Sequence, residues 1–386
     1  MTPGVVISAR GEQRLRSGHL WIYRSDVEEV RATGGDAVVV RGPRGRVLGL
    51  ALYSNRSQIA LRLLSPDSEA LVEQVIRGRL ETAIRFREGL SLDASAYRLV
   101  HGEGDLLPSL IVDKYGDYLV MQTLSQGMER LSGVIVDALG DLLRPRGILA
   151  RNDPRARELE GLDRRVTVES GEIPELVSVR EGEIEYEVAL RTGQKTGLFL
   201  DQRENREAAA GYARGRLLDC FSYHGGFALV LGKHCRATVA LDISEDAVER
   251  LRVNAKRNGV DIDARAANVF DELRQFERAG ERFDTIVLDP PAFAKTKAAV
   301  SAGRAGYKEI NLRALRLLTA GGTLVTCSCS YHVNEADFAE IVYAAAIDAP
   351  ARVTVVEKRM QGRDHPVLLG MPETYYLKCF ILRKVA

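Results

Sequence analysis

Thr285-Ile286-Val287-Leu288-Asp289-Pro290-Pro291 and Gly322-Thr323-Leu324-Val325-Thr326-Cys327-Ser328-Cys329-Ser330 decide the fold of this 386-residue chain. Each opens on an apolar run of strand length. The first closes on an acid and two prolines, the second on a pair of cysteines. A short apolar run bounded by turn residues fits a strand buried on both faces of a parallel sheet. Ligands of open α/β sheets bind at the carboxyl ends of such strands. A carboxylate and a thiol are thus delivered to one edge, a pairing suited to covalent attack on an electron-poor ring carbon.

Working outward, residues 191–386 contain five such runs, at 217–223, 238–244, 262–269, 285–291 and 322–330, separated by helical patterns. From Glu245 to Asn258, for example, Asp242 and Ser244 precede the helix, Val248, Leu251 and Ala255 recur at helical spacing, and Asn258-Gly259 closes it. A second helix is expected at about 304–318. Strands alternating with helices imply βαβ units and a doubly wound α/β sheet. A helix at 335–347 and strands at 352–358 and 374–383 follow. Their short return connection predicts seven strands with the last antiparallel.

The segment before this domain reads differently. Residues 37–40, 47–53 and 59–64 are short runs broken by glycine and proline, which predicts a small all-β module. Residues 71–190 read as an α+β unit. Its helices are expected at about 68–88 and at 126–139, and its strands at 97–101, 110–113, 118–123 and 147–151. The charged run 154–162 is expected to be exposed. The domains are therefore set at 1–70, 71–190 and 191–386, a number that the length allows.

Composition narrows the classes. The chain is 45% hydrophobic and 28% charged with net charge +1, ordinary for a folded protein and without a global field for polyanions. Residues 1–70 nevertheless carry ten arginines, no lysine and seven acids, a net of +3. Arginine without lysine suits bidentate phosphate contacts, and a solvated basic face gives the same charge. Arg10, Arg14, Arg16 and Arg24 are the candidate phosphate contacts. Five cysteines without a Cys-x-x-Cys pair imply neither a disulfide framework nor a zinc site, so no metal is expected. No apolar run reaches membrane-spanning length, and a cytoplasmic protein with reduced thiols is expected.

The first run of the C-terminal domain leads into Asp219-Cys220-Phe221-Ser222-Tyr223-His224-Gly225-Gly226. The Gly-x-Gly-x-x-Gly dinucleotide fingerprint is absent, which disfavours a nicotinamide oxidoreductase. Gly225 lets backbone approach a ligand closely. The second run ends in Asp242-Ile243, placed for ribose hydroxyls, and the third in Asn268-Val269-Phe270, an amide and a ring for an adenine. This order fits an adenosyl ligand without a diphosphate, S-adenosylmethionine being the obvious one. The bland alternative is that Asp219 and Asp242 only cap turns. Upstream, Lys195-Thr196 lies in a glycine-flanked loop, where Lys195 can meet a methionine carboxylate or an RNA phosphate. A plain turn with Asp201 as helix N-cap is the alternative there.

Together the stretches TGQKTGLFLDQRENR, LLDCFSYHGGFAL, VALDIS, FDTIVLDPPAFAK, CSCS and DHPVLL resemble the RlmI/RlmO-type methyltransferases, over essentially the whole chain. The resemblance implies a class I S-adenosylmethionine-dependent enzyme that makes 5-methylcytosine in 23S rRNA or its large-subunit precursor, acting as a homodimer. It also implies that Gly18-His19-Leu20-Trp21-Ile22-Tyr23 opens an N-terminal PUA domain, an RNA-binding β-barrel. C5 of cytosine is too weak a nucleophile to take a methyl group unless a thiolate first adds at C6. The family motif aligns Cys329 with that nucleophile and leaves Cys327 as runner-up. Asp289 either holds the base at N3 or N4 or orients it, and Asp289 or water takes the C5 proton. Asp289 also borders the cofactor site. Phe293 and Phe199 either stack a flipped base or pack in the core. The resemblance places His365 near the substrate edge, although a lone loop histidine is more often a turn residue. Rival readings are a methyltransferase acting on an exocyclic amine, which needs no cysteine, and a non-catalytic RNA-binding assembly factor.

Overall fold

Phe283–Leu288 and Leu318–Ser328 are neighbouring parallel strands, as their apolar runs require, in a computed structural model that describes residues 3–193, 195–294 and 296–385. Gln194 of the glycine-flanked loop and Lys295 of the Asp-Pro-Pro segment lie outside the described residues, as do both chain ends. The strands of this sheet are β1 (Arg216–Cys220), β2 (Ala237–Asp242), β3 (Asp263–Ala266), β4 (Phe283–Leu288), β5 (Leu318–Ser328), β6 (Val353–Arg359) and β7 (Lys378–Lys384). Their order is β3-β2-β1-β4-β5-β7-β6. β7 inserts between β5 and β6 and runs antiparallel to both.

Strand alternation sends successive side chains to opposite faces. Ile286, Leu288 and Leu324 join Tyr307, Ile310 and Phe338 in one buried cluster. Val287, Val325 and Cys327 join Leu217, Phe227 and Leu231 in the other. The helices that cover these faces are α1 (Arg203–Ala210), α2 (Gly226–Gly232), α3 (Glu245–Asn258), α4 (Val269–Arg278), α5 (Val300–Leu317) and α6 (Glu335–Asp348). Each fully buried Leu, Ile or Phe contributes about 1.5–3 kcal/mol to holding the layers together.

The chain divides into two units, and each takes three segments. The first comprises Met1–Val179, Val188–Leu198 and Arg363–Thr374; the second comprises Arg180–Glu187, Phe199–Gly362 and Tyr375–Ala386. The seven-stranded sheet belongs to the second. The first holds a six-stranded and a five-stranded sheet.

Several local expectations are corrected in the first unit. The N-terminal module is not all-β: Ala9–Arg16 is an α-helix whose N-cap, Ser8, accepts from the Gly11 amide at 3.2 Å. The helix expected at 126–139 is two helices, Gln126–Arg130 and Ser132–Leu143, broken at Leu131. The charged run 154–162 is not simply exposed. Arg157 and Glu160 are each 1% exposed. Arg157 bonds to Glu129 at 2.9 Å and to the Asp163 carbonyl at 2.9 Å, and Glu160 bonds to Arg62 at 2.8 Å. Two of the run's four charged groups are thus buried, because each meets a fixed opposite partner, while Arg155 and Glu158 stay exposed.

Candidate active site at the strand tips

Register places the site. Leu241, Cys220, Leu288 and Thr326 form one row across β2, β1, β4 and β5. The next residues of three of these strands are Asp242, Phe221 and Asp289, so the acids named from sequence share one edge.

Beyond β1 the backbone turns sharply. Phe221, Tyr223 and Gly225 all have left-handed φ, at 65°, 49° and 89°. Two non-glycine residues in that region cost roughly 1 kcal/mol or more each, strain that clusters at ligand sites. This ends β1 at Cys220 and corrects the strand expected to reach 223. The turn is pinned by Ser222, whose amide donates to the Leu241 carbonyl at 2.9 Å, and by the Tyr223 amide, which donates to Asp242 Oδ2 at 2.9 Å. A Cβ at Gly225 would meet Leu251 at 3.0 Å.

Asp219 sits beneath this turn, buried. Its Oδ2 accepts from the Ala228 amide at 2.9 Å, and its Oδ1 has no partner among the described residues. Burial, with Asp289 and Asp242 adding negative charge, pushes its carboxyl up to about 8. Asp242 is half-buried, and Ser244 caps its other oxygen at 2.9 Å. Ile243 beside it is 74% exposed, unusual for an isoleucine. The Asn268 side chain caps α4 by accepting from the Phe270 amide at 2.9 Å. The Val269 side chain is core, so only its backbone faces outward. An orphaned buried carboxyl oxygen, a turn free of side chain at Gly225 and an exposed aliphatic beside a ribose-height acid fit S-adenosylmethionine. Asp242 can hold its ribose, and Ile243 and Phe270 can flank its adenine.

On the other side of the edge, Cys329 follows β5 and lies half-buried with Sγ 3.8 Å from the Pro290 carbonyl oxygen. Asp289 Oδ1 accepts from Gln202 Nε2 at 2.9 Å. Gln202 Oε1 accepts from Asn205 Nδ2 at 2.6 Å, and Asn205 Oδ1 accepts from Arg359 at 3.1 Å. The acid is thus oriented by a chain of amides. Ser330 Oγ accepts from the Ala294 amide at 3.1 Å and meets the Tyr307 hydroxyl at 2.9 Å. Phe293 is half-buried against Tyr307, ring centroids 4.7 Å apart, and nears Phe270 at 5.9 Å. Phe199 packs edge-on against Tyr223 at 5.1 Å.

Cys327, the runner-up thiol, is fully buried opposite Cys379 on the β5–β7 ladder. Burial pushes its thiol well up, and the neighbouring Cys379 adds to the effect. Both effects disfavour its thiolate. Expecting it to share a strand face with Cys329 fails because β5 ends at Ser328.

Sequence reasoning missed Gln202, Asn205 and Lys378. Gln202 and Asn205 stood in the quoted family stretch but as neutral amides drew no chemistry. Lys378 is 2% exposed and opens the final strand directly before the apolar run Cys379–Leu382, and a cation there was the available signal. Its Nζ donates to the Ser330 carbonyl at 2.7 Å and to the Tyr376 carbonyl at 2.9 Å. Burial lowers its ammonium to about 8, while Cys329 and Asp337 act in the opposite sense.

Asp201 is not a helix N-cap. Its Oδ2 accepts from the Tyr376 hydroxyl at 2.7 Å, and α1 starts at Arg203 without a side-chain cap.

The remaining candidates belong to the first unit. Lys195 is exposed with φ 51°. Thr196 is buried, its hydroxyl committed to Asp113 at 2.5 Å and Tyr115 at 3.0 Å, which closes it to a ligand. His365 is 2% exposed, bonded to Asp364 at 3.0 Å and packed on His101, so it offers RNA no surface. Arg24 is likewise spent: its guanidinium donates to the Ser54 and Ser57 carbonyls at 2.7–3.0 Å. Arg10 bonds to Asp26 at 2.5 Å, yet its side chain stays 64% exposed; Arg16 pairs with Glu12 and stays 55% exposed. Arg14 lies over the Tyr23 ring at 4.5 Å. Among the described residues no helix is long and apolar enough to cross a membrane, and no acid, histidine or cysteine cluster could hold a metal.

Residues 160–368 match the S-adenosylmethionine-dependent methyltransferase profile, the class that this sheet order and these strand-tip acids define. Residues 5–66 match a PUA-like domain. A ribosomal RNA large subunit methyltransferase I of Vibrio cholerae is 38% identical over 396 residues, 98% of this chain and 99% of its own. Its namesake of Tolumonas auensis is 38% identical over 398 residues, 100% of each. The chain belongs to the ribosomal RNA large subunit methyltransferase I family and uses S-adenosylmethionine. A protein of Streptococcus mutans shares the fold at a TM-score of 0.85 and 21% identity, covering 98% of this chain and 99% of that one.

Proposed function

We propose that this protein methylates C5 of a cytosine in 23S rRNA, or its large-subunit precursor, through a covalent bond between Cys329 and C6. The observation that carries the reading is the half-exposed Cys329 thiol beside the Asp289-Pro290 backbone, while Cys220, Cys327 and Cys379 are buried. Family membership supports the substrate: relatives that match the full length are named for large-subunit ribosomal RNA.

The thiolate adds to C6, forming the S–C6 bond and turning C5 into an enamine-like carbon. Asp289, steadied by Gln202, holds the N3–N4 edge of the base as electrons shift toward it. S-adenosylmethionine supplies the methyl group that C5 takes. The C5 proton then leaves to Asp289 or water, the S–C6 bond breaks, and Cys329 returns as thiolate. Phe293 offers its half-exposed ring to the base, which must leave its stack to arrive.

The modules divide this work as 1–70, a PUA-like RNA-binding domain, 71–190, an α+β domain, and 191–386, the methyltransferase domain. Arg10 and Arg16, with exposed side chains, position RNA phosphate without reading sequence. The reading includes a homodimer acting in the cytoplasm, which light scattering and fractionation check.

RNA containing 5-fluorocytosine traps the covalent complex, because fluorine at C5 cannot leave as a proton. A cross-link that is stable to denaturation, and lost in Cys329→Ala, is expected. Turnover surviving in Cys329→Ala would instead favour a methyltransferase of an exocyclic amine. Bisulfite mapping of 23S rRNA from a deletion strain identifies the base.

A further inference from the structure

Lys378 is a buried cation with a place in the fold but none yet in the chemistry. β5 and β7 pair Ser328 with Lys378, so the lysine stands beside the residue just before Cys329. Its Nζ donates to the carbonyl of Ser330, the residue just after. The two-residue tip that carries the thiol is thus gripped on the strand side by Lys378. On the helix side Tyr307 and the Ala294 amide hold it through Ser330 Oγ.

An ammonium satisfied only by backbone carbonyls is a poor structural choice. Buried charges ordinarily have a charged partner, and an apolar residue of similar length would pack as well. No carboxylate bonds to Lys378 among the described residues. Among the described residues, the charged and titratable groups around the tip include Asp289 after β4, Tyr307 on α5, Asp337 on α6 and Lys378 itself. Among the described residues Lys378 is a cation whose charge acts on Cys329 and favours a thiolate there.

We propose that Lys378 is a positioning residue that presents Cys329 and supplies the positive charge beside its thiolate. This rests on the reading of Cys329 as nucleophile. Burial brings the ammonium down to about 8, which still leaves it mostly charged at neutral pH and ties its effect to the neutral range.

The test follows alkylation of Cys329 by iodoacetamide against pH, read on the Cys329 peptide by mass spectrometry, in the full chain without RNA. In the wild type the midpoint is expected below that of a free thiol, about 8.5. Lys378→Gln keeps a donor for the two carbonyls and loses the charge. Its midpoint is expected to rise by about one pH unit, slowing alkylation at pH 7 about tenfold. Lys378→Arg is expected to restore the low midpoint. A wild-type midpoint at or above that of a free thiol would overturn the proposal, even were both variants to misfold. So would a folded Lys378→Gln with an unchanged midpoint. Undiminished turnover of Cys329→Ala would instead overturn the nucleophile, so the two failures are told apart.

Discussion

Asp219→Asn is expected to make the protein more stable than the wild type at alkaline pH and nearly indifferent at acid pH. The wild-type carboxyl rises from 3.8 in the unfolded chain to about 8 in the fold, chiefly through burial. A group with a raised folded pKa contributes its full stability below the unfolded value and loses it as pH rises toward the folded one. Between about pH 5 and pH 8, linkage across that gap removes roughly 3 kcal/mol. Asparagine keeps an acceptor for the Ala228 amide and has no charge to bury. The difference in Tm between variant and wild type should therefore widen by about 6–12 °C across this range for a unit of this size. Other carboxylates titrate in both proteins and cancel in the difference. Scanning calorimetry of the two at several pH values reads it directly. A difference that stays level, or narrows as pH rises, would show that Asp219 is ionised in the fold and would refute the argument from its orphaned oxygen.

Three further outcomes follow from the same geometry. Gln202→Leu removes the donor that fixes Asp289 and should lower kcat by roughly 10–100-fold with KM little changed, measured by methyl incorporation into RNA. Cys327→Ala should keep turnover while costing about 1–2 kcal/mol by denaturant titration, since its thiol only fills the β5–β7 core. Arg16→Ala should reduce the salt slope of RNA binding by about 1, whereas Arg24→Ala should leave that slope alone and lower stability, its guanidinium serving the Ser54–Ser57 turn.

Most of the seven strands were legible as short apolar runs, β3 (Asp263–Ala266) and β6 (Val353–Arg359) being the charged exceptions, and β4 and β5 carried their chemistry at the ends where ligands bind. Asp289 was placed by that rule alone, whereas the choice of Cys329 over Cys327 came from the family motif. The turn after β1 was not legible, since Phe221 and Tyr223 continue the apolar pattern and nothing in their side chains announces a left-handed backbone. Arg157, Glu160 and His365 looked like surface residues because burial of a charged or polar group depends on partners distant in sequence. The separation of Cys327 from Cys329 rested on where β5 stops, a matter of one residue. Lys378 escaped for a related reason: its partners are two carbonyls, which every sequence possesses.

The threading of the chain bears on how the protein is made. Residues 363–374 complete the first unit, where Asp364 accepts from the Arg98 amide at 2.9 Å and from Arg87 at 2.7 Å, and Met371 accepts from the Leu20 amide at 3.1 Å. On the ribosome, the earlier segments of the first unit must wait for residues 363–374, and the second unit waits for β7 just behind them. Neither unit can therefore close before residues 363–384 have emerged, so chains truncated ahead of them should be handed to chaperones or proteases with neither unit finished.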